Sequence, residues 1–207
     1  MNNQQLSANR LLPLGVTKKV APFLGFKINQ INPYVNNINM KPIINQDMRL
    51  SEHFTLKEML VSSKAANHKP EPIPNIPLKC HITAMQNLAV RSLEPLREHL
   101  GLPIQVNSGY RCEMVNKLVG GMRTSQHLKG EAADITIPRR SRPFAHSTDE
   151  QAARLIYSYA KQYAEFDQLI LEHSGTSWWV HISCKIDYLR NRHEKLMIEN
   201  RRTKKLD

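Results

Sequence analysis

The stretch SQHLKGEAAD, residues 125–134, decides how this 207-residue chain is interpreted. It places the imidazole of His127 seven residues before the carboxylate of Asp134, with Gly130 and two small alanines between them. This pattern predicts a turn that leads into a strand and brings the two side chains together. Zn²⁺ is bound by histidine nitrogens and carboxylate oxygens, and catalytic zinc sites use three protein ligands and a water. The stretch therefore predicts two of the three ligands of a metal site.

The third ligand must come from another part of the chain, and His181 in the segment WWVHIS is the leading candidate. Side chains alternate between the two faces of a strand, so His181 lies on the face opposite to the apolar Val180 and Ile182. The same rule places Asp134 opposite Ile135. Each of the two predicted strands therefore offers one possible ligand on a polar face.

Local patterns predict helices early in the chain and strands later in it. A capping box, in which side chains at both ends of the first turn bond free amides, begins at Thr55. Apolar residues recur at helical spacing from Leu78 to Leu100, with one step of five residues that predicts a kink before Pro95, and Ser147 begins a second capping box. The strand candidates are Ile104–Asn107, Ala133–Ile137, Gln168–Glu172 and Trp178–Cys184. This order predicts an α+β domain with an antiparallel sheet.

The basic charge of the chain is concentrated at its two ends. The net charge is +11, yet residues 51–184 are close to neutral, whereas residues 1–50 hold six bases and one acid and residues 185–207 hold eight bases and four acids. We therefore predict three parts: an extended Asn-rich arm over 1–50, a folded domain over 51–184 and a basic C-terminal segment over 185–207 that forms a surface helix. Basic ends suit nucleic acid, anionic wall polymers or an acidic protein partner, and the alternative is that they are solvated tails.

Several classes of protein are excluded by composition. No stretch approaches the roughly 18 uninterrupted apolar residues needed to cross a bilayer. The apolar run after Arg10 is interrupted by Lys18 and Lys19, which predicts that there is no secretory signal. The three cysteines are too few and too scattered for a disulfide framework or a CxxC metal site. The sequence thus predicts a globular protein that does not span a membrane.

The motifs together resemble those of the M15 zinc peptidases. The pattern S-x-H-x-x-G-x-A-x-D over residues 125–134 and the later Trp-Val-His ending at His181 are the most specific part. The upstream Ser-Gly-Tyr-Arg ending at Arg111, Asn116, the Gly120-Gly121 pair and FTLKE over residues 54–58 match as well. The resemblance covers residues 51–184. This family includes D-Ala-D-Ala carboxypeptidases and L-Ala-D-Glu endopeptidases of bacterial cell walls and phage endolysins.

The resemblance implies that His127, Asp134 and His181 are Zn²⁺ ligands. It also implies a hedgehog/DD-peptidase-like α+β fold whose central antiparallel sheet carries the metal and is flanked by helices. For Arg111 it implies a contact with the substrate or with the oxyanion that develops during attack. These roles agree with elementary chemistry, because zinc lowers the pKa of bound water to about 7 and a guanidinium stabilises an oxyanion or grips a carboxylate.

The chain departs from the family pattern at the general base. Many members place this carboxylate three residues before the last histidine ligand, where this chain has Trp178. The nearest substitute is Glu172, at the end of the strand QLILE. Pairing of this strand with the one that carries His181 would set Glu172 close to the metal face. If Glu172 points away, the domain binds zinc but cleaves poorly.

Each of these candidates also has a purely structural interpretation. The alternatives are a hydrogen-bonded pair for His127 and Asp134, a satisfied core histidine for His181, an ion pair with Glu113 or a helix cap for Arg111, and an ordinary surface carboxylate for Glu172.

Two functions follow from the sequence. The first is a zinc-dependent peptidase that hydrolyses the stem peptide of peptidoglycan, of phage or prophage origin. Such an enzyme is synthesised in the cytoplasm and acts on the wall after release, or is carried in a phage particle. The second is a virion or scaffold protein built on an M15-like domain, whose N-terminal arm docks a protein partner while catalysis is secondary or lost. Nucleic-acid binding rests on net charge alone, without a recognised motif, and is the weakest hypothesis.

Overall fold

Six strands form one sheet in the order β1-β2-β4-β3-β5-β6. Their bounds are β1 Gln105–Ser108, β2 Ala132–Thr136, β3 Gln168–Ser174, β4 Ser177–Ser183, β5 Glu194–Glu199 and β6 Arg202–Lys205. The structure is a computed structural model, and it describes residues 45–142, 147–200 and 202–206. The first 44 residues of the predicted N-terminal arm therefore lie outside the described residues.

The sheet is mixed, which corrects the prediction of an antiparallel sheet. Neighbouring strands are antiparallel except β3 and β5, which are parallel. β4 ends where β3 begins, because Ser183 pairs with Gln168, and Glu194 at the start of β5 pairs with the same Gln168. β4 is already flanked by β2 and β3, so the chain passes to the open edge of β3. A short connection leads from the end of β4 to the start of β5, which lies beside the start of β3. Because both strands start at the same end of the sheet, β5 runs parallel to β3.

The helices are short and lie mostly before the sheet in sequence. Their bounds are α1 Leu56–Met59, α2 Ser63–Ala66, α3 Lys79–Leu88, α4 Glu94–Leu100, α5 Glu113–Leu118 and α6 Asp149–Tyr163. The predicted capping box of α1 is confirmed. The Thr55 hydroxyl accepts from the Glu58 amide at 3.3 Å, and the Glu58 carboxylate accepts from the Thr55 amide at 2.8 Å. Because the structure combines these helices with a six-stranded sheet, the α+β class predicted from the sequence is confirmed.

The five-residue step in the apolar pattern corresponds to a π-helical segment, Ala89–Leu93, between α3 and α4. A π turn holds more residues than an α turn, so a step of five keeps Leu88 and Leu93 on the same buried side. Pro95 follows at the start of α4, where its missing amide hydrogen is tolerated. Gly101 ends α4 with a φ of 65°, in the left-handed region.

Helix α6 begins one residue later than the sequence predicted. Its N-cap is Thr148, whose hydroxyl accepts from the Gln151 amide at 3.1 Å, and the Gln151 side chain accepts from the Thr148 amide at 3.0 Å. Ser147 is not the cap. The face of α6 that packs inward is rich in alanine and carries Ile156, while Tyr163 is exposed. Small side chains let α6 lie close to β3 and β4.

One face of the sheet belongs to the hydrophobic core. Its buried side chains are Ala133 and Ile135 from β2, Leu169 and Leu171 from β3, and Val180 and Ile182 from β4. Helix α6 packs on this face against β3 and β4. Because side chains alternate along each strand, Asp134, His181 and Glu172 lie on the other face, together with the buried Ile170. That face carries the candidate ligands.

The predicted basic C-terminal helix is wrong, since residues 194–199 and 202–205 are the strands β5 and β6. The segment EKLMIE buries Leu196 and lies along the open edge of β3, which supplies backbone hydrogen-bond partners along its whole length. A short charged helix on the surface would have lacked such tertiary support. The four residues of β6 are exposed and form the edge of the sheet. In the described part of the chain, no helix is long and apolar enough to cross a membrane.

Candidate metal centre

Asp134 on β2 and His181 on β4 lie directly opposite each other in an antiparallel pair. Both side chains point to the polar face of the sheet, as the alternation of the two strands predicted. His181 Nδ1 is 3.0 Å from Asp134 Oδ1. The two residues are 47 positions apart in sequence, and strand pairing alone brings them together.

His127 reaches the same point from a 3₁₀ turn, Gln126–Lys129, that precedes β2. The turn ends at Gly130, which has a φ of 74°, and a Cβ at this position would lie 2.5 Å from the carbonyl oxygen of His81. A residue with a side chain is thus excluded by both backbone conformation and space. The turn places His127 Nε2 at 3.2 Å from Asp134 Oδ1 and 3.2 Å from His181 Nδ1.

The three donor atoms form a triangle that fits a small tetrahedral cation. Its sides are 3.0, 3.2 and 3.2 Å. Zinc bonds of about 2.0–2.1 Å at the tetrahedral angle place ligand atoms about 3.3 Å apart. Among the residues that the structure describes, His127, Asp134 and His181 are the group of histidine, cysteine and acidic side chains whose donor atoms converge in this way.

The protonation of the buried His127 suits a ligand. Its Nδ1 donates to the Gly109 carbonyl at 2.6 Å, so Nε2 carries a lone pair directed into the triangle. Burial lowers the pKa of His127, although Asp134 opposes this. Burial would raise the pKa of Asp134, but interactions with His127 and His181 outweigh it and hold that pKa well below its usual value. The ionised oxygen of Asp134 and the Nε2 nitrogen of His127 therefore share a nearly dry corner that attracts a cation.

Arg111 is bound to the other oxygen of the same carboxylate. Its Nη2 donates to Asp134 Oδ2, its Nε donates to Ser108 Oγ at 2.8 Å, and its side chain is 14% exposed. The alternative partner Glu113 is therefore not the one that Arg111 contacts. Because the guanidinium occupies Oδ2, the carboxylate is left with Oδ1 for the triangle.

Glu172 lies on the site face, as the predicted hairpin required. β3 and β4 form an antiparallel hairpin in which Gln168 pairs with Ser183 at one end and Ser174 pairs with Ser177 at the other. Within it, Ile170 is opposite His181. Glu172 is two residues further along the same face of β3, so it is a diagonal neighbour of His181. Burial raises the pKa of Glu172, and the positive charge of His181, when protonated, opposes this effect.

The two neighbouring tryptophans have different positions. Trp179 is half-buried on the same face as His181, next to Glu172 in the strand pairing. Trp178 points to the opposite face, where its ring stacks on His173 with the ring centroids 4.3 Å apart. Trp179 is therefore the tryptophan that lines the site.

Two residues that support the site were given no role from the sequence. Gly109 supplies the carbonyl that orients His127, and a Cβ there would lie 2.4 Å from the Met59 carbonyl oxygen, which is why this position holds glycine. Asn75, in the proline-rich segment between α2 and α3, bonds the backbone on both sides of Arg111. The Ser-Gly-Tyr-Arg motif pointed to Gly109, whereas Asn75 carried no pattern beyond its place among prolines.

A comparison with protein families agrees with this geometry. The family model described as Peptidase M15 matches residues 52–183, which is more than half of the chain and includes all five predicted site residues. The chain therefore belongs to the peptidase M15 family. No curated protein matches the sequence.

Proposed function

From the membership of the chain in the peptidase M15 family, we propose that it is a zinc-dependent peptidase of the bacterial cell wall. Its substrate is the stem peptide of peptidoglycan, which it cuts as a D-Ala-D-Ala carboxypeptidase or as an endolysin-type endopeptidase. The domain then has the hedgehog/DD-peptidase-like fold that the resemblance implies. The observation that carries the proposal is the triangle of donor atoms from His127, Asp134 and His181, with sides of 3.0–3.2 Å.

Zn²⁺ is the ion that suits this triangle. Two imidazole nitrogens and one carboxylate oxygen form a donor set of catalytic zinc, whereas Ca²⁺ and Mg²⁺ prefer oxygen ligands. His127, Asp134 and His181 would hold the ion, with the Gly109 carbonyl orienting His127 from behind. When bound, zinc supplies a water with a pKa of about 7 and polarises the scissile carbonyl.

We assign proton transfer to Glu172. It takes the proton of the attacking water and delivers it to the nitrogen of the scissile bond, so that the nitrogen leaves as an amine and not as an amide anion. Its position on the site face, diagonal to His181, supports this role. Its raised pKa supports it as well, because a general base works best when its pKa is closer to the operating pH.

Arg111 supplies fixed positive charge beside the triangle. Its guanidinium is anchored by Ser108 and Asp134, so it is oriented before substrate arrives. An oxyanion that forms at the scissile carbonyl, or the terminal carboxylate of a peptide, would be stabilised by this charge.

The proposal also includes a phage or prophage origin. The enzyme would be made in the cytoplasm and reach the wall after release, or travel in the phage particle. The resemblance of residues 125–134 to M15 sequences, which include phage endolysins, supports this part. A protein partner for the N-terminal arm stays a prediction.

The test is digestion of purified murein by the zinc-loaded protein, followed by mass analysis of the fragments. We expect loss of terminal D-alanine if the enzyme is a carboxypeptidase, and cleavage after L-alanine if it is an endopeptidase. Glu172→Gln should keep one zinc per chain and lower kcat by about 10²–10⁴-fold, as expected for loss of a general base. Glu199→Gln, on an exposed glutamate of β5, is the matched control and should retain full activity.

Zinc binding without peptide cleavage would contradict the proposal. If the protein binds one zinc but releases no fragment under conditions in which another M15 peptidase is active, the peptidase proposal is wrong. The virion or scaffold hypothesis would then be favoured.

A further inference from the structure

We propose that Asn75 is a positioning residue for Arg111, and that it acts by holding the peptide groups on both sides of that arginine. The inference rests on the proposed function of the site, because it concerns the residue that meets the negative charge of substrate or transition state. Asn75 lies 36 residues before Arg111 in the sequence. None of its three hydrogen bonds reaches the ligand triangle or Glu172.

The carboxamide of Asn75 makes three hydrogen bonds to backbone groups. Its Nδ2 donates to the Tyr110 carbonyl at 2.8 Å and to the Leu60 carbonyl at 3.1 Å. Its Oδ1 accepts from the Cys112 amide at 2.8 Å. Both hydrogens of the amide and one acceptor position are therefore used. One side chain thus spans the residue before Arg111 and the residue after it.

The loop that carries Asn75 is itself held in place. Proline precedes Asn75 at position 74 and follows it two residues later at position 77, which restricts the backbone on both sides. The Ile73 amide donates to the Ala65 carbonyl at 3.0 Å, and the Cys112 thiol donates to the Pro74 carbonyl at 3.5 Å. Asn75 is therefore presented from a fixed segment, and its clamp transmits that rigidity to the arginine loop.

The backbone of Arg111 is joined to the ligand turn as well. Its amide donates to the His127 carbonyl at 3.0 Å, while the neighbouring Gly109 carbonyl accepts from His127 Nδ1 at 2.6 Å. Asn75 thus bonds the two peptide groups that flank Arg111, whereas the carbonyl that orients His127 belongs to the Gly109–Tyr110 peptide, which Asn75 does not bond. Displacement of a positioned group by about 1 Å can cost about 100-fold in rate. Asn75→Ala should accordingly lower kcat/KM by about 10–100-fold, the range seen when outer-shell partners are lost.

A double-mutant cycle separates positioning from general stabilisation. We compare the wild type, Asn75→Ala, Arg111→Ala and the double variant by kcat/KM on the cleaved stem peptide. If Asn75 acts through Arg111, its substitution should have less than about a twofold effect once Arg111 is absent. Equal effects of Asn75→Ala in both backgrounds would overturn the proposal. If Asn75→Ala does not fold, Asn75→Asp replaces it, because the aspartate keeps the acceptor for Cys112 and loses both donors.

Asn191 provides a matched control. It is also half-buried and uses its carboxamide as a clamp, accepting from the Lys185 amide at 3.0 Å and donating to the Glu165 carboxylate at 2.8 Å. It holds the segment before β5 and not Arg111. Asn191→Ala should lower stability as Asn75→Ala does, yet its effect on kcat/KM should be small and independent of Arg111.

A second readout does not depend on catalysis. The Nε hydrogen of Arg111 donates to Ser108 at 2.8 Å, so its exchange with solvent, measured by NMR in the zinc-loaded protein, reports on the placement of the guanidinium. We expect exchange to become at least about tenfold faster in Asn75→Ala and to be unchanged in Asn191→Ala. Faster exchange in a protein that cleaves no murein would support the clamp and reject the proposed function. Unchanged exchange would reject the clamp whether or not the protein is a peptidase.

Discussion

Two carboxylates of this protein lie largely or fully inside it, but their hydrogen-bond partners differ in kind and in number. The Asp134 side chain is 14% exposed and that of Asp167, which precedes β3, is fully buried. Asp167 is bound by Lys185 Nζ at 2.7 Å, by the guanidinium of Arg192 and by the Arg192 amide at 2.9 Å. Asp134 has one cation, Arg111, on Oδ2 and two imidazole nitrogens around Oδ1.

The difference shows how partners decide the role of a buried acid. Two cations of the chain itself balance Asp167, and one of them, Arg192, lies just before β5, so this carboxylate ties the C-terminal strands to the rest of the sheet. Arg111 occupies only Oδ2 of Asp134, whereas Oδ1 faces ring nitrogens of His127 and His181 and has no arginine or lysine partner among the described residues. We therefore interpret Asp167 as structural and Asp134 as a metal ligand.

The largest expected effect comes from Asp134→Asn. An amide oxygen is a far poorer zinc ligand than a carboxylate, so the variant should fall from about one zinc per chain to nearly none. Murein cleavage should drop by more than the 10–100-fold that follows loss of an outer-shell partner. Metal analysis after dialysis and the digestion assay measure the two effects. Full zinc content in this variant would show that Asp134, like Asp167, is not needed as a metal ligand.

Asp167→Asn should act on stability and leave the metal in place. Neutralising a buried carboxylate that accepts charge-assisted hydrogen bonds costs about 1.5–3 kcal/mol, and Lys185 and Arg192 are exposed enough to stay solvated when it is lost. We expect this loss in the free energy of unfolding measured with urea, together with about one zinc per chain. Asp187→Asn is the control, since Asp187 forms an exposed pair with Arg190 that should contribute less than about 1 kcal/mol. Equal losses in the two variants would contradict the structural role.

Acid should remove the advantage that Asp167 gives. Burial would raise its pKa, but hydrogen bonds from Arg192 and Lys185 outweigh this and lower it below the value of about 3.9 in the unfolded chain. A carboxylate with a lowered pKa contributes stability above the unfolded value, and this contribution disappears as the pH falls through the folded value. Urea unfolding of the metal-free wild type and Asp167→Asn should differ by a constant amount from pH 7 to 5 and by a shrinking amount below about pH 4. A difference that stays constant down to pH 3 would count against this assignment.

The smallest effect is expected at the outer end of the C-terminal strands. Glu199 of β5 is 60% exposed and lies 3.0 Å from His173 of β3. Partly exposed pairs contribute about 0–1 kcal/mol, so Glu199→Gln should change the free energy of unfolding by less than about 1 kcal/mol. This measurement shows whether Asp167 or the strand edge holds β5 and β6. A loss as large as that of Asp167→Asn would shift that role to the edge.

Some elements could be predicted because their cause is local. The capping box at Thr55, the turn at Gly130 and the faces of β2 and β4 follow from side-chain types within a few residues. The five-residue step in the apolar pattern was visible too, although only the structure showed that a π turn absorbs it. The cap of α6 was misplaced by one residue, because Ser147 and Thr148 are equally good caps by sequence and packing of the helix against the sheet selects between them.

Other elements depend on competition between distant segments. The C-terminal residues became strands because β3 had an open edge, and their charge alone suggested a surface helix. Asn75 was overlooked for the same reason, since its three partners belong to segments that meet only after folding.

By itself, the sequence determined the α+β class, the order of the first four strands along the chain and the identity of His127, Asp134 and His181 as candidate ligands. These follow from backbone preferences and from the two-residue period of a strand, which act over a few positions. The tertiary structure alone decided that three donor atoms lie within 3.2 Å of one another, that Asn75 holds the backbone around Arg111 and that β5 runs parallel to β3. Such contacts are set by which strand edge is free and by the packing of distant side chains, and no short stretch of sequence encodes either.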